Sequence, residues 1–132
     1  MKIPKIVESK ISFDFDGTLD DDFDDTPNPQ KEEIISICKH LLSEGKDVCI
    51  ITKRYDPKTG LNESDKVFDL AKKIGVKNVY FTNRELKHKK IAELGIQLHF
   101  ENSQPEADII QAHSPSTLLV VITDPYWRDL VY

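Results

Sequence analysis

The stretch Ile11-Ser12-Phe13-Asp14-Phe15-Asp16-Gly17-Thr18-Leu19 changes character halfway along, from an apolar run to an acidic turn. Its first residues, 11–15, predict a buried β-strand. Gly17 favours a turn, because a residue without Cβ adopts backbone conformations that other residues avoid. A strand that ends near Asp14 would hold this carboxylate rigidly and leave Asp16 just beyond it. Ligands bind at the carboxyl ends of strands in an open α/β sheet, so we expect a site here.

Two carboxylates this close repel each other, and a divalent cation would relieve the repulsion and keep Asp14 ionised. An isolated Asp-x-Asp pair is more often a solvated acidic turn. Here the pair is part of the string Asp-x-Asp-Gly-Thr-Leu, which follows an apolar strand directly. This context favours a functional site over a solvated turn.

Strand and helix patterns alternate along the rest of the chain. Further strands are predicted at 47–52, 78–82, 97–101 and 118–122, and helices at 29–43, 64–74, 85–94 and 105–112. The run 47–52 is apolar almost throughout, which is typical of a strand in a parallel sheet covered on both faces. The alternation predicts an α/β fold: a single domain over residues 1–132, built as a three-layer α/β/α sandwich around a central, mostly parallel five-stranded sheet.

Composition limits the functional class. A chain of 132 residues with 39% hydrophobic and 31% charged residues is typical of one water-soluble domain. A net charge of −5 argues against a general nucleic-acid binder, although basic residues between Lys66 and Lys90 leave a local patch open. No apolar run approaches the ~20 residues of a membrane helix, and the first residues lack the apolar core of a secretion signal. We therefore expect a cytoplasmic protein in which Cys38 and Cys49 are buried free thiols.

Further polar residues stand at the predicted element ends. Thr52 closes the second strand, Glu101 closes the fourth, and Lys87, Lys89 and Lys90 lie on the intervening helix. The order Asp-x-Asp, hydroxyl, lysine and late acid resembles the motif set of the haloacid dehalogenase-like (HAD) phosphohydrolases, and it spans residues 11–102. The two loops 20–30 and 53–63 are too short to hold the cap domain that many members carry, so the resemblance is to a capless (C0-type) Rossmannoid member.

The resemblance implies a Mg²⁺-dependent phosphomonoesterase that forms an aspartyl-phosphate. Asp14 would be the nucleophile and Asp16 the general acid and base. Thr52 and Lys87 would hold the phosphate, and the adjacent Lys53 is a further candidate substrate contact. Mg²⁺ would be bound by Asp14, by the backbone carbonyl of Asp16 and by Glu101.

Two assignments within this set stay open. Lys90 is the alternative to Lys87, because both lie on the same predicted helix. The late acid is a glutamate where aspartates are usual in the family, so assistance at the metal by Asn102, Glu106 or Asp108 is also considered. The histidines at 88, 99 and 113 show no ligand spacing and are interpreted as structural.

Two other functional classes compete with the phosphatase. One is a catalytically weak HAD-like module that binds a phosphorylated ligand or a protein. The other is a phosphotransferase or a phosphatase that processes nucleic-acid ends, which an uncapped site favours and the overall acidity disfavours.

The tail 124–132 contains Tyr126, Trp127 and Tyr132. Packing over the sheet edge is the default interpretation of these aromatics, and a homo-oligomer interface is the second.

Overall fold

The computed structural model describes residues 2–132 and contains five strands and four α-helices. In chain order these are β1 (Lys10–Phe13), α1 (Lys31–Ser43), β2 (Asp47–Thr52), α2 (Asp65–Ile74), β3 (Asn78–Phe81), α3 (His88–Leu94), β4 (Leu98–Glu101), α4 (Gln104–His113) and β5 (Leu118–Val121). Short 3₁₀ helices occupy Pro57–Thr59 and Trp127–Leu130. The predicted α/β fold class is confirmed.

The five strands form one sheet in the order β3-β2-β1-β4-β5, and every neighbouring pair is parallel. From β1 the chain moves outward through β2 and β3, then returns to the other side of β1 for β4 and β5. The strand order therefore reverses between β1 and β4. Such a switch point leaves a crevice at the carboxyl ends of the two strands, where ligands bind in open α/β sheets.

Hydrophobic clusters cover both faces of the sheet. On one face, residues of β1 and β4 pack with α1 and α2, and the rings of Phe13 and Phe100 stack with centroids 4.4 Å apart. On the other face, Ile51 of β2 packs with Ile91 of α3 and Ile110 of α4. This is the predicted three-layer arrangement, with a helix pair on each side.

The first strand is shorter than predicted, ending at Phe13 rather than at residue 15. The main-chain carbonyl of Phe15 accepts hydrogen bonds from the amides of Thr18, Leu19 and Asp20, so the chain already turns there. Gly17 lies in this turn with a φ of 76°, a conformation that a Cβ disfavours. Asp14 therefore lies directly after the strand, with its amide bonded to the carbonyl of Phe100, and Asp16 lies in the turn.

Two helices begin two or more residues later than predicted. The predicted helix 29–43 begins at Lys31, because Asn28 Oδ1 accepts the Gln30 amide in a preceding turn. The predicted helix 85–94 begins at His88, because Asn83 and Arg84 adopt positive φ values of 55° and 68° in the loop before it. In the described part of the chain, neither 20–30 nor 53–63 contains an inserted domain.

The C-terminal aromatic residues pack mainly on the domain itself. Trp127 is buried and donates its indole N–H to Gln30 Oε1 at 2.6 Å, and Tyr132 donates its hydroxyl to Glu33. Tyr126 is exposed. The homo-oligomer interface at this tail stays a prediction. Over residues 2–132, no helix combines the length and the apolar character needed to cross a membrane.

Candidate active site

A buried ion cluster lies at the switch point between β1 and β4. Lys87, immediately before α3, donates from Nζ to Asp14 Oδ1 at 2.6 Å and to Glu101 Oε1 at 2.8 Å. Asp14 follows β1 directly and Glu101 is the last residue of β4, so two neighbouring strands and one helix start converge here. Only 2% of the Lys87 surface is exposed. Three of the residues predicted from the motif order therefore meet in one cluster.

The cluster forms the floor of an open cleft of about 290 Å³. Its walls are mostly charged, and they consist of Asp14, Asp16, Asp22, Lys53, Lys87, Glu101, Asn102, Ser103 and Glu106. Five carboxylates and two ammonium groups line the space. An anionic ligand would meet net negative charge here unless a cation entered with it.

The surroundings of Asp14 disfavour its ionised form. Burial, and then the nearby charge of Glu101, raise its pKa to about 7, although Lys87 and the hydroxyl of Thr18 act in the opposite direction. Thr18 Oγ1 donates to Asp14 Oδ2 at 3.0 Å, which fixes the carboxylate plane. The ionised form of this group is thus costly, and a nearby cation would favour it.

Glu101 and Lys87 each stabilise the charged form of the other. Burial alone would raise the pKa of Glu101, but Lys87 and His99 hold it well below its ordinary value. Burial likewise opposes the charge on Lys87, yet Asp14 and Glu101 keep its pKa above the usual value. Glu101 is therefore a carboxylate and Lys87 an ammonium.

The oxygens of Glu101 are fully engaged by protein donors. Oε1 meets Lys87 Nζ and, at 3.0 Å, His99 Nε2. Oε2 accepts the backbone amides of Asn102 and Ser103, each at 3.1 Å. A carboxylate has about four acceptor directions. Four donors fill them, which leaves little room for a direct metal contact by Glu101.

His99 belongs to this network, although its sequence context suggested only a structural role. Its Nδ1 lies 2.7 Å from Ser12 Oγ, and both residues are fully buried. Ser12 and His99 stand opposite each other in the register of β1 and β4. The signal that could have found them is a polar residue inside each of two apolar runs that are both predicted to be buried strands.

Asp16 lines the cleft, but its carboxylate is paired with Arg54. Arg54 Nη2 and Nε donate to the two Asp16 oxygens at 2.7 and 3.0 Å. A third bond runs from Arg54 Nη1 to the carbonyl of Glu63. The sequence analysis did not identify Arg54 as a partner of Asp16. A pairing across 38 residues leaves no local sequence signal.

Thr52 and Lys53, the two other predicted phosphate contacts, differ in their position relative to the cleft. Thr52 is fully buried at the end of β2, and its hydroxyl accepts the Arg54 amide at 3.3 Å rather than lining the cleft. Lys53 does line the cleft, with Nζ 3.6 Å from Glu106 Oε2. Lys90 lies outside it, paired with Glu93. The geometry thus favours Lys87 over Lys90.

Of the three candidates for assisting Glu101, two line the cleft. Glu106 is buried and accepts the backbone amide of Lys87 at 3.0 Å, so it helps to place the start of α3. Asn102 packs so closely on the turn that a Cβ at Gly17 would lie 2.1 Å from its Nδ2 atom. Asp108 accepts a bond from Gln104 on the exposed side of α4. A Ser-x-x-Glu helix start at 103–106 is the signal that could have singled out Glu106.

The acidic loop 20–30 is attached to the cleft rim by stacked side chains. The ring of Phe23 lies 4.8 Å from the guanidinium of Arg54 and 4.9 Å from that of Arg84. Arg84 also lies 5.0 Å from the ring of Tyr55. Cation–π contacts of this kind are attractive even at a partly exposed surface. They hold the loop beside Asp16 and Arg54.

The donors in the cleft suit Mg²⁺ better than a softer metal. Mg²⁺ is typically held by one or two carboxylates together with waters and substrate phosphate oxygens, rather than by a closed protein cage. Asp14, whose Oδ2 accepts only the Thr18 hydroxyl among the described residues, can supply such a carboxylate. No group of three or more acidic, histidine or cysteine side chains in residues 2–132 has metal-holding geometry. Asp14, through Oδ2, and the adjacent backbone are the groups that could hold a hydrated Mg²⁺ here.

Comparisons of the chain with models of protein families, with curated proteins and with solved structures found no match.

Proposed function

We propose that this protein is a Mg²⁺-dependent phosphomonoester hydrolase of the HAD type, with Asp14 as the nucleophile. The observation that carries the proposal is the buried Lys87 ammonium between Asp14 and Glu101, on the floor of an open cleft. A carboxylate attacks a phosphate dianion only when nearby positive charge offsets their repulsion. Lys87 supplies that charge in contact with the attacking group.

The geometry of Lys87 also supports a direct contact with the phosphate. An ammonium has three N–H donors, and among the described residues two of them go to Asp14 and Glu101. The third is left for a phosphate oxygen in the cleft. Lys53, at the rim, adds a second positive charge for the same ligand.

The charge of the cleft supports a metal requirement. Five carboxylates line it, against the two lysines and the adjacent Arg54. Bound Mg²⁺ would offset the phosphate charge and keep Asp14 ionised near neutral pH. We propose that Asp14 and the Asp16 carbonyl hold it. Glu101, whose oxygens are already engaged, acts instead through Lys87.

The proposed reaction has two displacements at one phosphorus. Asp14 attacks the phosphate, the ester oxygen leaves with a proton from Asp16, and an aspartyl-phosphate forms on Asp14. Asp16 then removes a proton from a water that attacks the same phosphorus, which releases inorganic phosphate and restores Asp14. Both Asp16 oxygens accept from Arg54, so Asp16 must first release these bonds and take up a proton from water before it can act as the acid. A substrate phosphate that binds Arg54 would replace Asp16 as the partner of the guanidinium. In this scheme Thr52 shapes the loop through Arg54 and does not contact substrate.

The direct test is hydrolysis of para-nitrophenyl phosphate by the wild-type protein and by Asp14→Asn. We expect release of nitrophenol by the wild type with Mg²⁺ and none by the variant. Asp69→Asn removes an exposed carboxylate from α2 and is the matched control, expected to behave as the wild type. Hydrolysis by Asp14→Asn at the wild-type rate would exclude the nucleophile assignment.

The pairing of Asp16 with Arg54 favours one alternative, a module that binds a phosphorylated ligand without hydrolysing it. A proton donor that stays in a bidentate ion pair cannot serve the leaving group. Titration with inorganic phosphate, followed by calorimetry, separates the two functions when combined with the hydrolysis assay. Phosphate binding without any hydrolysis by the wild type supports the binding module and contradicts the phosphatase.

A further inference from the structure

A polar pair is buried inside the sheet behind the ion cluster. Ser12 of β1 and His99 of β4 are both fully buried, and they lie on the sheet face that packs against α3 and α4. Their neighbours on that face are apolar, among them Ile51, Ile91 and Ile110. Burying polar groups in such surroundings is unfavourable unless each one is hydrogen-bonded. Here the pair is bonded, and the chain of bonds leads to the cleft.

The partners of His99 define its tautomer. Glu101 is a carboxylate and only accepts hydrogen bonds, so His99 Nε2 carries the proton that joins them at 3.0 Å. The buried ring is neutral, which leaves Nδ1 as an acceptor. Ser12 therefore donates its hydroxyl to Nδ1 at 2.7 Å. The donors point in one direction, from Ser12 through His99 to Glu101.

This direction matters because Glu101 positions Lys87. The same oxygen, Oε1, accepts from both His99 and Lys87. Without the His99 bond, Oε1 would keep only Lys87 as a partner, and the carboxylate could turn about the bonds of Oε2 to the Asn102 and Ser103 amides. Lys87 would then lose its fixed placement 2.6 Å from Asp14.

We propose that His99 is a positioning residue of the active site, which acts through Glu101 to hold Lys87 against the nucleophile, with Ser12 holding the second ring nitrogen of His99. The catalytic consequence rests on the proposed phosphatase function. The positional consequence does not, because it concerns the Lys87 ammonium in the resting protein. The two are therefore tested by separate readouts.

Two substitutions of His99 each keep one of its two hydrogen bonds and remove the other. The amide nitrogen of glutamine reaches about as far as Nε2, so His99→Gln keeps the donor to Glu101. The shorter asparagine places its amide near Nδ1, so His99→Asn keeps the contact with Ser12 and loses Glu101. We expect His99→Gln to retain most of kcat. His99→Asn should lower kcat by about 10- to 100-fold with KM nearly unchanged, which is the size of effect typical for the loss of a residue that orients a metal ligand. In a wild-type protein that hydrolyses phosphate, equal kcat values for the two variants would overturn the catalytic role of His99.

The second readout is nuclear magnetic resonance of the Lys87 side chain, which requires no activity. A buried, hydrogen-bonded ammonium exchanges slowly with water, so its Nζ–H signal is expected in the wild type and in His99→Gln. The signal should disappear in His99→Asn. If it persists there unchanged, the positioning role is wrong, whether or not the protein hydrolyses phosphate. If it disappears while the wild type shows no hydrolysis, the role holds and the phosphatase proposal fails.

Ser12→Ala provides an independent test if His99→Asn does not fold. It keeps the ring and its bond to Glu101 but removes the donor to Nδ1, so ¹⁵N spectra of His99 should keep the Nε2–H tautomer while the ring is held less firmly. The Lys87 Nζ–H signal should weaken accordingly. An unchanged Lys87 signal, or a His99 ring whose proton lies on Nδ1, would contradict the proposed chain of donors. His40→Asn, on α1 and outside the network, is the control and should leave both spectra unchanged.

Discussion

Replacing Asp14 by asparagine should stabilise the metal-free protein at the same time as it removes activity. Burial and the charge of Glu101 raise the pKa of Asp14 from 3.8 to about 7 in the folded chain. One pKa unit corresponds to about 1.4 kcal/mol, so ionised Asp14 lowers the folding stability by about 4 kcal/mol. Asparagine has the same shape and carries no charge, and it therefore avoids this penalty.

The penalty depends on pH in a defined direction. Because the pKa is raised on folding, the folded protein binds the Asp14 proton more tightly than the unfolded chain does. The associated stability is complete below about pH 4 and is lost as the pH rises through about 7. The advantage of Asp14→Asn over the wild type should therefore grow from about 1–2 kcal/mol near pH 5 to about 4 kcal/mol near pH 8.

Urea unfolding in the presence of EDTA measures this difference. The single tryptophan, Trp127, is buried and reports the transition by fluorescence. Asp69→Asn is the control and should change stability by no more than about 0.5 kcal/mol at either pH. An Asp14→Asn variant that is no more stable than the wild type near pH 8, or whose advantage is the same at both pH values, would refute the reasoning. Added Mg²⁺ should raise the stability of the wild type and not that of the variant.

Four further outcomes are expected. Lys87→Met should abolish hydrolysis and lower the unfolding free energy by about 3–5 kcal/mol, because two buried carboxylates lose their partner; Lys90→Met, measured alongside, should change neither. EDTA should remove activity and Mg²⁺ restore it, and full activity in chelator would refute the metal role. Asp16→Asn should lower kcat by about 10²–10⁴ for esters with poor leaving groups, in a comparison of alkyl and aryl phosphates. Gly17→Ala should destabilise the fold by about 1–3 kcal/mol, since it forces a side chain into a left-handed conformation and displaces Asn102, which a thermal melt would detect.

The fold was predictable where hydrophobic pattern and length agreed. Strand β2 has the predicted bounds, because a continuous apolar run precedes Thr52 and Gly45 interrupts the chain before it. The start of α3 was not predictable. The left-handed conformations of Asn83 and Arg84 are supported by bonds to the main chain of residues 53 and 54, which are distant in sequence.

The candidate site was predictable for the residues fixed by strand ends. The meeting of Asp14, Lys87 and Glu101 follows from the order of motifs and from the shared edge of a parallel sheet. The pairing of Asp16 with Arg54 and the displacement of Thr52 from the cleft were not predictable. Both depend on how the loop after β2 folds, and long-range contacts decide that.

The central place of β1 in the sheet has a consequence for local opening. Strands β3 and β5 lie at the edges and can fray independently, whereas β1 is bonded on both sides and should open only when the whole domain unfolds. Amide protons of β1 should therefore exchange at the slowest, global rate, and those of the acidic loop much faster. The proposed nucleophile, Asp14, is thus anchored to the most persistent part of the molecule, while the groups that exchange partners in the proposed reaction lie on the part that opens first.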